Sequence, residues 1–394
     1  MNLLYCSYWG INDPLTHSTI FPNIEILSSF PEFDAIYLAT IERNPYTAKT
    51  DFASSKVNHL PLLSKYQNVK LFNKWFDFNV LPKQIQNICK QKKIDVILAR
   101  GAMIGAIAAK AKPKNVKLII ESFEPHADYM AESGSWKKSG LKYKTQLQFE
   151  ELEKQTADFL ITVSEKYREL LIEKDKLEES KVYTIPCYTD LEKFKFSRST
   201  REETIKQLGI QPQEIVGIYV GKFGDIYYDT EAFQIFKIAF ETIPQFKLII
   251  LTGDKHEAIQ LKLKMVGVDL SKVIIKTVLH NEVNNYLCAA DFGFATIKPA
   301  PSKRYCSPVK IGEYWACGLA VLLTEGIGDD SEIIEKEGGG EVFNYSKPSI
   351  EKAIKEVLNQ IQQPNNRELN RKLAEKYKSP EIAIKTYQKI FSHT

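Results

Sequence analysis

Short apolar runs alternate with longer segments of helical period along nearly the whole chain, and no other feature restricts the fold as much. In the first half the runs are NLLYCSY, AIYLATI, VKLF, DVILA, VKLIIES and FLITVS, with helical segments at 19–30, 81–92, 101–112 and 142–156. In the second half IVGIYVGKF, FKLIILTG, VIIKTV, FGFATI and AVLLT play the same part, with helical segments at 230–242, 255–266, 282–290, 308–316 and 349–361. Strands apolar on both faces and joined by helices form parallel sheets, because each crossover helix must cover a sheet face. The series restarts after a polar passage at 197–214, so a linker is expected around 188–213. The fold class is therefore α/β, with two doubly wound, Rossmann-like parallel-sheet domains at 1–195 and 196–378; 394 residues suit two cores better than one. A break at Ser379-Pro380 starts a last amphipathic helix within 379–394. In this architecture ligands bind at the carboxyl ends of the strands.

Composition narrows the function classes. Hydrophobic residues make up 44% and charged residues 26%, as in soluble globular proteins. No apolar run approaches the roughly 18 residues that span a bilayer, and MNLLYCSYWGIND lacks the basic start and long apolar stretch of a signal peptide. Six scattered cysteines without CxxC spacing read as reduced thiols of a cytoplasmic protein. A net charge of +4 is too small to indicate a nucleic-acid partner. Residues 49–117 carry 14 Lys and Arg against three Asp. Together with Trp75, Phe76, Phe78, Val80 and Leu81 they could rest on the anionic inner face of a membrane. Solvated lysines on surface helices explain the same residues more simply. With neither G-x-G-x-x-G nor a P-loop in the chain, a Rossmann dehydrogenase is disfavoured.

The strand ends hold the candidate residues. Gly221-Lys222 follows the strand IVGIYV, where a glycine admits a ligand to the backbone and a lysine can meet a phosphate; an ordinary turn fits equally. Thr252-Gly253-Asp254 ends the next strand, and Asp254 could simply cap the following helix. Val278 and Leu279 could wall a flat base, and His280 beside them reads as a surface histidine. In SPVKIGEYWACG, Ser307 suits an N-cap, Pro308 the first helical position, and Gly318 a stop. A helix start of this kind, with Val309 and Lys310 in its first turn, offers free N–H groups to a phosphate. Glu313 falls on an otherwise apolar face near Ala316. Two readings fit it: an ion pair with Lys310, or a carboxylate that accepts from the vicinal hydroxyls of a ribose. In the first half, Glu121, Glu124, His126 and Asp128 follow the strand VKLIIES, a cluster suited to binding a sugar or handling a proton. Gly10 and Asn12 occupy the loop after the first strand, where backbone amides can approach a ligand.

The order of these motifs resembles the GT-B-fold, family 4 ("group 1") retaining glycosyltransferases. The likeness is strongest over 215–345: strand-Gly-Lys at 221–222, LTGD at 251–254, HNEVNNYLCAADFGFATI, SPVKIGEYWACGLAVLLT and GGGEVF. The family pattern SPxKxxEYxAxGxPV is matched by Ser307, Pro308, Lys310, Glu313, Tyr314, Ala316, Gly318 and Val321, with Ala320 where proline is common. The resemblance implies two domains facing each other across a cleft, with the last helix crossing back to the first. It implies a nucleotide-sugar donor bound by the second domain and a glycan or lipid-linked acceptor bound by the first, in cell-surface polysaccharide or glycoconjugate synthesis. Glu313 then binds the donor ribose, while Lys222 and the segment from Ser307 meet the diphosphate. His126 is the nearest match to a histidine close to the donor sugar. The chain has no Asp-x-Asp, so neither a metal nor another cofactor is expected. Two positions depart from the family. Tyr305 stands where many members carry the first Glu of E-x7-E, and Tyr228 where many carry a second basic residue. A nucleotide-sugar epimerase of the same fold and a non-catalytic sugar-binding protein are the alternatives.

Overall fold

The structure is a computed structural model that describes residues 1–13, 16–43, 52–64 and 70–392, with the side chains of Ser18 and residues 70–75 left aside. The chain divides into two compact units, Met1–Ile185 with Ala383–Thr394, and Pro186–Ile382.

The first unit is built on β1 (Asn2–Ser7), β2 (Ala35–Glu42), β3 (Val57–Leu63), β4 (Val96–Arg100), β5 (Lys117–Ser122), β6 (Phe159–Thr162) and β7 (Val182–Thr184), in the order β3-β2-β1-β4-β5-β6-β7. Every pairing is parallel. The apolar runs supply the centre, where Leu3, Leu4, Val96, Ile97, Leu118 and Ile119 are buried. One sequence expectation fails at the sheet edge. The described residues of VKLF, 70–72, form no strand; they open the helix Lys70–Lys92. The edge strand is instead VNHLPLL, which lacks a continuous apolar run because only one neighbour covers it, and which tolerates Pro61 for the same reason. Phe76 and Leu81 of the basic segment are buried, and Phe78 stacks on Phe149 with centroids 4.3 Å apart. These apolar groups therefore pack inward, and the Trp75 side chain lies outside the described residues. Among the described residues no helix is long and apolar enough to cross a membrane.

The second unit has β8 (Ile215–Val220), β9 (Phe246–Leu251), β10 (Val273–Lys276), β11 (Phe292–Ala295), β12 (Ala320–Thr324) and β13 (Gly340–Phe343), in the order β10-β9-β8-β11-β12-β13. All its pairings are parallel too. Strand order reverses between β8 and β11, so the loops after these two strands flank the switch point where such sheets bind ligands.

The expected linker is folded structure. Ser197 caps the helix Arg198–Leu208 by accepting from the Thr200 N–H. From that helix Arg201 donates to the carbonyls of Cys288, Ala289 and Ala290 and to Asp291. Residues 186–195, placed by sequence with the first domain, belong to the second unit, because Phe194 is buried in its core with Val216, Ile218 and Trp315. The last helix, Pro380–Phe391, gives Ala383, Tyr387, Ile390 and Phe391 to the core. Phe391 meets Phe33 edge-on with centroids 4.9 Å apart, and the Tyr387 hydroxyl donates to Glu121, both within the first unit.

Candidate functional site

In the second unit the backbone turns out of β8 at Gly221, with φ of +137°. A Cβ there would lie 3.0 Å from the Lys310 Nζ. The backbone angle requires the glycine, and the ammonium lies close against it. Lys310 lies in the first turn of the helix Val309–Ala316, is 8% exposed, and has no hydrogen-bond partner for its Nζ. Its nearest company is aromatic: the ammonium sits 4.2 Å from the ring centroid of Tyr227 and 4.8 Å from that of Tyr219. Rings attract a cation but do not replace its hydration. Burial therefore pulls the Lys310 pKa down to about 7, against the opposing pull of the Glu313 charge.

The helix start differs in detail from the sequence expectation. Pro308 is the residue before the helix, its φ and ψ are extended, and no side chain caps the first turn. Ser307 is not the cap. Its Oγ accepts from the Cys187 N–H at 3.1 Å and from the Lys378 Nζ at 3.0 Å, and Lys378 forms a buried ion pair with Asp330 at 2.8 Å. The Ser307 hydroxyl thus anchors the loop, and the first-turn N–H groups have no capping side chain.

Glu313 is 6% exposed, and its Oε1 lies 3.1 Å from the His280 Nε2. The expected alternative, an ion pair between Glu313 and Lys310, does not form; Glu313 pairs with His280 and Lys310 with no carboxylate. Lys222 is a different kind of lysine: its side chain is 53% exposed and pairs with Asp225 at 2.6 Å. Asp254 does not cap a helix. It accepts from the Phe223 N–H at 2.9 Å and so ties the loop after β9 to the loop after β8. Thr252 is buried and accepts from the Asp254 N–H, while a Cβ on Gly253 would meet open space. Val278 packs against the core, whereas Leu279 and Val309 are exposed apolar side chains. Tyr228 is buried against the ring of Tyr345, and Tyr305 ends a short helix, Pro301–Tyr305, beneath Arg304.

In the first unit, Gly10 makes room for a carboxylate. A Cβ there would lie 2.7 Å from the Glu42 Oε2, and Glu42 accepts from the Ile11 N–H at 2.8 Å and from the Thr40 hydroxyl. His126 opens the helix His126–Glu132 with its Nδ1 3.0 Å from Glu124, its ring stacked on Tyr129 and edge-on to Trp136. The four residues read as one cluster separate. Glu121 pairs with Arg100, Asp128 accepts from the Tyr143 hydroxyl at 2.7 Å, and only Glu124 serves His126. Burial raises the pKa of Glu150, which accepts from the Ala127 N–H at 2.8 Å and so fixes the start of the His126 helix. Sequence reasoning missed Tyr219, Tyr227 and the His280–Glu313 pair. Tyr219 lies inside the apolar run that marked β8, but nothing in that run singled it out, and the others had no local signal either.

Gly221→Ala forces a side chain into a positive φ and against the Lys310 ammonium. We expect about 1–3 kcal/mol of lost stability in chemical denaturation, together with weaker binding of a nucleoside diphosphate. Wild-type stability in this variant would show that neither constraint is real.

No protein-family profile and no curated protein matches the chain. Solved structures do. Sucrose-phosphate synthase from Thermosynechococcus elongatus superposes with a TM-score of 0.76 at 14% identity over 100% of both chains. HepE of Anabaena in complex with UDP gives 0.75 at 14% identity, again over 100% of both. WaaG, a glycosyltransferase involved in lipopolysaccharide biosynthesis, gives 0.65 at 16% identity over 97% of this chain and 98% of its own. With two all-parallel Rossmann-like units and full-length similarity to these enzymes, the chain has the GT-B fold.

Proposed function

We propose that the protein is a glycosyltransferase that moves a sugar from a nucleoside diphosphate to a hydroxyl of a glycan or lipid-linked acceptor, with retention at the anomeric carbon. One observation carries the reading: a buried ammonium without a hydrogen-bond partner, Lys310, beside a strand-end glycine and an uncapped helix start, on the same short helix as the buried carboxylate of Glu313. An isolated buried cation is costly unless an anion visits it. Phosphate oxygens complement Lys310 and the first-turn amides, and vicinal ribose hydroxyls complement a carboxylate. The exposed apolar Leu279 and Val309 suit the face of a base.

The chemistry follows from charge. As the bond from the anomeric carbon to the β-phosphate oxygen breaks, negative charge grows on the diphosphate. Lys310, the helix start and, from solvent, Lys222 oppose it. The acceptor oxygen bonds to the same carbon, and its proton passes to a departing phosphate oxygen. HepE has been solved with UDP and with UDP-glucose, so uridine conjugates are the first donors to test.

A thermal-shift panel of UDP, GDP, ADP and CMP conjugates tests the donor class. One series is expected to raise the melting temperature, and its sugar conjugate to release nucleotide when a glycan acceptor is present. No shift with any conjugate would overturn the reading, and an isomerised sugar as product would replace it with epimerase chemistry.

A further inference from the structure

A side chain that the transfer chemistry does not need already satisfies Glu313. His280 follows β10, is 56% exposed, and directs Nε2 at the Glu313 Oε1 from 33 residues away in sequence. On the other side of the ring, Nδ1 lies 2.8 Å from the Lys193 Nζ. An ammonium can only donate, so Nδ1 accepts and the ring proton sits on Nε2, where it donates to Glu313. Phe194, with its ring centroid 5.5 Å away, flanks the imidazole. Lys193 thus sets the tautomer that makes His280 a donor, and a buried carboxylate has an exposed partner.

We propose that His280 is a placeholder for the ribose. It occupies the Oε1 of Glu313 in the free protein and yields it to the vicinal hydroxyls of a bound nucleotide. This rests on the ribose role of Glu313 proposed above. The asymmetry of burial favours exchange over permanent pairing. A carboxylate that is almost fully buried must always have a donor, whereas an exposed imidazole regains water when it swings away. The bond is therefore present in the free protein and absent in the complex, and it lowers affinity for any ligand that uses Glu313. A ligand without ribose hydroxyls has nothing with which to displace His280, so the residue sharpens selection for an intact ribose.

The test is calorimetric titration of the full chain with UDP and with 2′,3′-dideoxyuridine diphosphate. The His280→Ala variant is expected to bind UDP about tenfold more tightly than wild type and the dideoxy compound equally well. His280→Gln, which restores an N–H donor, should return UDP affinity to the wild-type value. A weaker or unchanged affinity for UDP in His280→Ala, or equal changes for both ligands, would overturn the placeholder role while leaving the ribose role of Glu313 intact. Should UDP fail to bind wild type, GDP and ADP with their dideoxy forms take its place. If none of these binds, the ribose reading itself falls, and the placeholder with it. In wild type, the nitrogen resonance of the His280 Nε2 should move toward that of a solvated imidazole on adding UDP and stay fixed on adding the dideoxy form. Movement with both ligands would overturn the proposal even if the variants fail to fold.

Discussion

Replacing Glu313 with glutamine is expected to weaken nucleotide binding by about a hundredfold or more, with almost no change in folding. A carboxylate presents acceptors on both oxygens, and hydrogen bonds to a charged group are worth about 1.5–3 kcal/mol each. Two ribose hydroxyls would lose both charge assistance and, at one oxygen, an acceptor that becomes an N–H donor. At about 1.4 kcal/mol per factor of ten, the smaller estimate already gives a hundredfold. Folding is spared because glutamine has the same shape, and its amide oxygen still accepts from the His280 Nε2. Titration with UDP and with its 2′,3′-dideoxy form reads this directly. The first affinity should collapse and the second should hold, whereas unchanged UDP affinity would remove the ribose role.

Lys310→Met should move stability and binding in opposite directions. Methionine fills the space between Tyr219 and Tyr227 without a charge to desolvate, so the variant should be more stable by on the order of 1–3 kcal/mol at neutral pH. Its affinity for a nucleoside diphosphate should fall about a hundredfold, and its affinity for the bare nucleoside should stay put. The exposed Lys222, already paired with Asp225, should cost only about threefold to tenfold when changed to Ala. The pH dependence has a definite sign. Lys310 keeps its proton to about 10.5 in the unfolded chain and releases it at about 7 in the folded one. Between these values the unfolded state holds the extra proton, so stability from this group rises with pH. Below about 7 both states are protonated, and the full cost of a buried charge applies. Diphosphate binding runs the other way, because phosphate favours the ammonium. At pH 8 it should take up about one proton per UDP and none for uridine, and affinity should weaken as pH rises. Titration in buffers of different ionisation enthalpy measures the uptake. Equal uptake in Lys310→Met would assign the proton elsewhere.

Much of the scaffold was legible because central parallel strands must be apolar on both faces. β1, β4, β5 and β8 announced themselves as unbroken runs for that reason. β3 did not, since an edge strand can afford Pro61 and alternating exposure. The passage 197–214 read as a linker because its helix is polar by composition. It is held in place by Arg201 reaching the carbonyl ends of another helix, a long-range contact that no local window contains.

The sequence by itself determined two β-α-β units and a strand-end position for Gly221, Thr252 and the helix of Glu313, because periodicity and turn chemistry act over a few residues. Tertiary structure alone decided which lysine is buried. Lys222, next to Gly221 in sequence, points to solvent, while Lys310, distant in sequence, presses its ammonium against that glycine. It also decided that Ser307 holds Lys378 and the Cys187 amide rather than capping its helix, and that His280 rather than Lys310 satisfies Glu313. Each outcome depends on desolvation, and a side chain loses its water to whatever packs on it, not to its neighbours along the chain.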